Sequence, residues 1–232
     1  MATTLITGTN RGIGLEFVRQ YAQDGWYVIA CCRQPEKAED LSRLTAQYPD
    51  HIRIYALDVA DHQQIDQLAR SLTSETIDLL INNAGIYPPS DDGGFGSIDY
   101  AAWIQAMQIN TMAPLKMAEA FITQISSSNL KTIATITSKM GSIADNQRGG
   151  SYIYRSSKAA VNMVARSLAI DLKPRGITSV LLHPGWVKTD MGGRDALIST
   201  EQSVTGMRRI LSGVALADTG KFFAYDGQLI PW

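Results

Sequence analysis

A phenol and an ammonium four residues apart on a helix can share one proton-transfer task. In "YIYRSSK", residues 152–158, two tyrosines precede one lysine. Residues i and i+4 share a helix face, which makes Tyr154 the partner of Lys158. Tyr152 stands six residues before the lysine, about 120° round the helix. Both tyrosines could be packing residues; on the helix-face argument Tyr154 is the one placed for chemistry, and Tyr152 is a helix-entry or pocket-wall residue. A free phenol has a pKa of about 10, and a nearby ammonium favours its ionised form. The expectation is a tyrosine whose pKa Lys158 lowers, able to give a proton to a carbonyl oxygen or take one from an alcohol. Ser138, where "TITSKMGSI" leaves an apolar run, can donate to the same oxygen, with Ser142 a weaker candidate further along the loop. Asn110 is a polar residue in the apolar pattern "MQINTMAPLKM". It reads either as an amide tied to neighbouring backbone or as the holder of a water that reaches Lys158.

A second constellation opens the chain. "LITGTNRGIGLEF" joins an apolar run to a helical pattern through Gly8, Gly12 and Gly14. In a strand–turn–helix context these supply a tight turn, room for a phosphate group, and close helix–strand packing. The helix start then offers free N–H groups to an anion. The next strand ends "CCRQ", without the Asp or Glu that a free ribose 2′-OH wants. Arg33 stands there instead, and Arg11 lies in the glycine turn. Two guanidiniums suit a 2′-phosphate, which favours NADP(H) over NAD(H). Asp58 of "LDV" fits beside an adenine amino group. In "NNAG", Asn82 can steady the sheet while Ala84 and Gly85 pass close to the cofactor; Asn82 and Asn83 also fit as plain turn residues.

These groups need a frame. Short β-branched runs "TTLIT", "YVIACC", "IRIYAL", "DLLIN", "KTIATIT", "ITSVLLH" and "KFFAY" alternate with helical patterns over 12–23, 35–47, 61–73, 98–125 and 152–172. Such alternation predicts one α/β domain, 1–232. It is a doubly wound (Rossmann) parallel seven-stranded sheet with helices on both faces. The stretch "PPSDDGGFGS", 88–97, reads as a mobile loop at the carboxyl edge, where ligands bind in such sheets. A net charge of −1 argues against nucleic acid as the main partner, and the apolar start of the chain is too short for a signal peptide or a membrane span. Adjacent Cys31 and Cys32 point to opposite faces of a strand and read as buried free thiols in a reducing cytoplasm.

With "TGTNRGIG", "NNAG", Asn110, Ser138, "YRSSK" and "HPGWVKTDM" in that order, the chain resembles the short-chain dehydrogenase/reductase family over nearly its whole length. Within it, "TNRGIGLE", "CCRQ", "SKMGSI" and "YDGQLIPW" look like the C-factor/sniffer and carbonyl-reductase branch. The resemblance implies a catalytic tetrad Asn110–Ser138–Tyr154–Lys158. It implies cofactor contacts from Asn10, Arg11 and Ile13 with the three glycines, and from Arg33, Asp58, Val59, Asn82, Ala84 and Gly85. Tyr154 and Lys158 would hold the nicotinamide ribose, and Pro184, Gly185, Val187 and Thr189 would line the nicotinamide and phosphate side. Three features depart from the pattern or stand apart: the segment after "KTDMGG" leaves little chain for a long lid, Lys139 follows the serine, and Pro231–Trp232 could pack on their own subunit or at an interface.

The expected function is reduction of a small neutral aldehyde, ketone or quinone, without a metal. The pocket wall would come from Tyr87, Met140, Tyr152, Trp186 and Met191, with Ser138 on the oxygen. A C-factor/sniffer-like NAD(P)-binding sensor with slow or vestigial turnover is the alternative, and a lyase or epimerase on the same scaffold is weaker. The apolar faces of 98–125 and 152–172, with the resemblance, imply a homodimer or homotetramer.

Overall fold

The computed structural model of the protein describes residues 1–88 and 94–232. Of the 88–97 loop expected from sequence, residues 89–93 lie outside the described residues. Seven strands form one parallel sheet: β1 Thr3–Thr7, β2 Tyr27–Cys32, β3 Ile52–Ala56, β4 Leu79–Asn82, β5 Thr132–Ile136, β6 Thr178–His183 and β7 Phe222–Ala224. Their spatial order is β3-β2-β1-β4-β5-β6-β7. The chain winds outward from β1 to β3, then returns to place β4 on the other side of β1. This reversal opens a crevice beyond the carboxyl ends of β1 and β4, the place where such sheets take ligands.

Successive strand residues feed two cores, because side chains alternate across a sheet. Leu5, Leu80 and Ile133 pack on one face, and Ile6, Ile81 and Ala134 on the other. Both sets are buried, which explains the continuous apolar runs of a sheet covered on both sides.

Helices α1 Gly12–Gln23 and α2 Glu39–Gln47 cover the second face, and α3 His62–Ser71 covers the first. The expected helix 98–125 is interrupted. It comprises α4 Tyr100–Met107, a π-helical turn Gln108–Met112, α5 Ala113–Ala120 and α6 Ile122–Ser126. A π turn widens the helix by one residue and tends to occur at functional sites; here it carries Asn110. Helix α7, Tyr152–Leu172, has the bounds expected from sequence. One further helix was not read from the sequence: α8, Thr200–Gly213, beside α1. Its signal was a capping box, Ser199 with Gln202, followed by buried Val204 and Met207. Cys31 and Cys32 are buried free thiols. No described helix is long and apolar enough to cross a membrane.

Candidate active site

The glycine turn is held from three sides. The Thr9 amide and hydroxyl both donate to the Cys31 carbonyl at 3.1 Å, tying the turn to β2. Thr7 Oγ1 accepts from the Asn83 and Ala84 amides at 3.0 Å. The Asn83 side chain donates to the carbonyls of Thr7 at 2.8 Å and Gly8 at 3.1 Å. Gly8 takes φ +71°, and a Cβ on Gly14 would sit 2.1 Å from the Gly8 carbonyl oxygen. Helix α1 therefore packs against the turn at a distance only glycine permits. No side chain caps its N-terminus.

A cleft of about 900 Å³ runs from this turn across the sheet edge, within the usual size for a ligand site. Asn10, Arg11, Ile13, Arg33, Asp58, Val59, Ala84 and Gly85 line it, together with Tyr154, Lys158, Pro184, Thr189 and Met191. Lys37, which the sequence reading passed over, lines it too. Arg33 and Lys37 have no carboxylate within ion-pair distance among the described residues, whereas Arg43 is paired with Asp40 at 2.9 Å. Arg11 is committed elsewhere: its guanidinium meets Asp190 at 2.7 Å, joining the glycine turn to the loop after β6.

At the other end, Tyr154 and Lys158 are both buried and both face the cleft, while Tyr152 is 40% exposed and lies outside it. The Tyr154 phenol is hydrogen-bonded to Ser138. Lys158 Nζ donates to the Ile136 carbonyl at 3.1 Å and stands 5.7 Å from the Tyr154 ring centroid. A Cβ on Gly85 would lie 3.2 Å from Asn110 Oδ1 and 3.5 Å from Lys158 Nζ, so the cleft floor passes directly over both.

A profile of the short chain dehydrogenases matches residues 2–197. The chain belongs to the short chain dehydrogenase family. C-signal of Myxococcus xanthus is 43% identical over 167 residues, covering 71% of this chain and 98% of that protein. NADPH-bound carbonyl reductase from chicken fatty liver superposes with a TM-score of 0.93 at 34% identity, covering 100% of this chain and 99% of that one. The carbonyl reductase Sniffer of D. melanogaster superposes with a TM-score of 0.93 at 32% identity, over 100% of both chains. These likenesses support the C-factor/sniffer-like branch of the short chain dehydrogenases.

Against that family pattern several expectations change. Asn82 does not reach the cleft: its amide donates to the Pro114 carbonyl at 3.3 Å, so Asn83 is the residue that locks the turn. Gly185 is packed against Ile198 and the Tyr225 ring, and Val187 is buried beside Ile198; neither lines the cleft. Ser142 is not a second oxygen donor. It donates to the Trp232 carbonyl at 3.3 Å and accepts from the Asp145 amide, so Trp232 packs on its own chain, its ring 5.9 Å from Phe222. Lys139 pairs with Asp145 at the surface. The Asn110 Oδ1 accepts from the Ile86 amide, and its Nδ2 donates to the Ile86 carbonyl and Ser157 Oγ. It braces the segment after β4 against α7. Of the expected pocket residues only Met191 lines the cleft: Tyr87, Ser138, Met140, Tyr152 and Trp186 do not, and the Trp186 indole closes its own loop by donating to the Gly192 carbonyl at 2.7 Å.

The electrostatics also reverse one expectation. Burial pushes the Tyr154 phenol up to about 12, against a smaller lowering from the Ser138 hydrogen bond. Burial pushes Lys158 down to about 8. Removing both groups from water penalises the charged form of each, and this is the largest cause of both shifts. Tyr154 therefore keeps its proton at neutral pH, and Lys158 loses its proton closer to neutrality than a free lysine does.

Proposed function

We propose that the protein is an NADP(H)-dependent reductase of small neutral carbonyl compounds. One observation carries this reading: a single cleft is lined at one end by Arg33 and Lys37, which meet no carboxylate among the described residues, and at the other by the buried Tyr154, hydrogen-bonded to Ser138, and Lys158. The NADPH-bound structure of the similar carbonyl reductase supports it. When bound, the cofactor supplies the hydride. The chain's own residues do the rest. The open amides at the start of α1 and the glycine turn receive the diphosphate, and Arg33 and Lys37 receive the 2′-phosphate. Ser138 donates to the carbonyl oxygen, Tyr154 gives that oxygen its proton, and Lys158 holds the nicotinamide ribose. Restoring the Tyr154 proton from solvent completes the balance.

A screen of NADPH oxidation over aldehydes, ketones and quinones tests the reading. Turnover with at least one class is the expected result. The likeness to C-signal favours a second reading, a sensor that binds NADP(H) without turnover; tight binding with no oxidation of any compound would support it. Failure to bind NADPH overturns both.

A pH profile separates the two buried groups. The kcat/KM for NADPH reports groups of the free enzyme. Tyr154 stays protonated to about 12, so it supplies no step in the working range. Lys158 is charged below about 8 and loses its proton above it. The profile is therefore expected to be level below about pH 8 and to fall above it. Lys158→Arg, which stays charged, removes that fall even if it lowers the plateau. A profile that stays level well above pH 8 in the unmodified protein is the contrary result.

We also propose a homo-oligomer formed through α4 and α7. Tyr100, Ile104, Met163 and Ile170 on these neighbouring helices are 59–70% exposed. A second copy of the same face matches them in an isologous contact. Sedimentation should show a dimer or tetramer that Met163→Asp dissociates; a monomer at micromolar concentration contradicts the assignment.

A further inference from the structure

The loop that leaves β4 grips the catalytic helix at two points. Asn110 holds Ile86 in both directions, at 2.8 and 2.9 Å, and reaches the second turn of α7 through Ser157 Oγ at 3.0 Å. The next loop residue, Tyr87, reaches the first turn. Its ring centroid lies 4.8 Å from that of Tyr154, tilted by 49°, and its hydroxyl stands 2.9 Å from Ser151 Oγ.

Ser151 is the residue immediately before α7, where serine ordinarily takes an extended backbone and caps the helix amides with its hydroxyl. Here it does neither. It holds φ +44° in the left-handed region and makes no side-chain cap. Among the described residues only Lys131 and Ser151 combine positive φ with a side chain. Gly149 and Gly150 just before it take φ +65° and +63°. Such a conformation is disfavoured for a residue with a Cβ and persists where surrounding contacts impose it, commonly next to functional groups. The Ser151 hydroxyl is turned away from the helix it precedes and toward Tyr87.

We propose that Tyr87 is a positioning residue for Tyr154. Its hydrogen bond with Ser151 and its ring contact hold the first turn of α7, and through it keep the Tyr154 phenol aimed at Ser138. This rests on the assignment of Tyr154 as the proton donor. Ile86 and Tyr87 are adjacent, so the Asn110 brace and the Tyr87 contact act on neighbouring residues of one segment.

The test is a double-variant cycle of Tyr87→Phe and Ser151→Ala, with Tyr154→Phe alongside. Each single variant is expected to lower kcat about fivefold, the net worth of one hydrogen bond. The pair should lower it no further, since both remove the same bond. The carbonyl KM and the NADPH Kd should hold within experimental scatter, a split that a merely structural contact would not give. The amides of residues 152–155 should exchange with solvent several-fold faster in Tyr87→Phe. Unchanged kcat in Tyr87→Phe, or losses that multiply in the pair, overturns the proposal. If Tyr154→Phe turns over like the unmodified protein, the proton-donor assignment fails instead; the brace is then decided by amide exchange, faster if it exists and unchanged if it does not.

Discussion

Tyr154→Phe is expected to lower carbonyl turnover at least about 10²-fold, the usual scale for loss of a general acid, while NADPH still binds. The phenyl ring refills the same space, so packing against Tyr87 survives and the loss reads the hydroxyl alone. Tyr152→Phe should keep most activity, because Tyr152 is 40% exposed and outside the cleft. The elevated pKa of about 12 strengthens this prediction, since the proton to be donated is present at every working pH. Steady-state kinetics on the two variants, with NADPH binding measured separately, decides it. The opposite ranking of the two tyrosines would refute the assignment.

Arg33→Asp is expected to reduce or reverse a preference for NADPH over NADH of roughly ten- to a hundredfold, the worth of charge-assisted bonds at about 1.5–3 kcal/mol. The expectation now involves Lys37 as well, which lines the same cleft and, like Arg33, meets no carboxylate among the described residues. Arg11→Ala should matter less, because its guanidinium is exposed and already paired with Asp190. Lys37→Ala should weaken NADPH and leave NADH affinity nearly unchanged. Equal affinity for the two cofactors in the unmodified protein would remove the 2′-phosphate site from the account.

Much of the fold was legible because its signals are local. The seven apolar runs are strands, and α1 and α7 have the bounds expected from periodicity. The pairing of Tyr154 with Lys158 needed only the helical repeat, and both side chains are buried on one face. Helix α8 was passed over although Ser199 and Gln202 announce its start. The interruption of 98–125 was not legible, because a π turn at Asn110 serves contacts with Ile86 and Ser157 that lie far off in sequence.

By itself, then, the sequence determined the parallel sheet, the glycine turn at its switch point and the helix face shared by Tyr154 and Lys158. Each depends on spacing within a few residues, where covalent geometry fixes which side chains are neighbours. Only the tertiary structure decided between Asn82 and Asn83, because their side chains take different partners, the Pro114 carbonyl and the Thr7–Gly8 turn. It alone joined Arg11 to Asp190 and left Arg33 and Lys37 without a carboxylate partner among the described residues. It alone raised Tyr154 and lowered Lys158, because a pKa answers to the water that folding removes as well as to the charge that spacing brings near. Desolvation is summed over every segment packed around a group, and those beside Tyr154 and Lys158 include Gly85 and Tyr87 after β4, Ile136 and Gly141 at and after the end of β5, and Asn110, all remote along the chain.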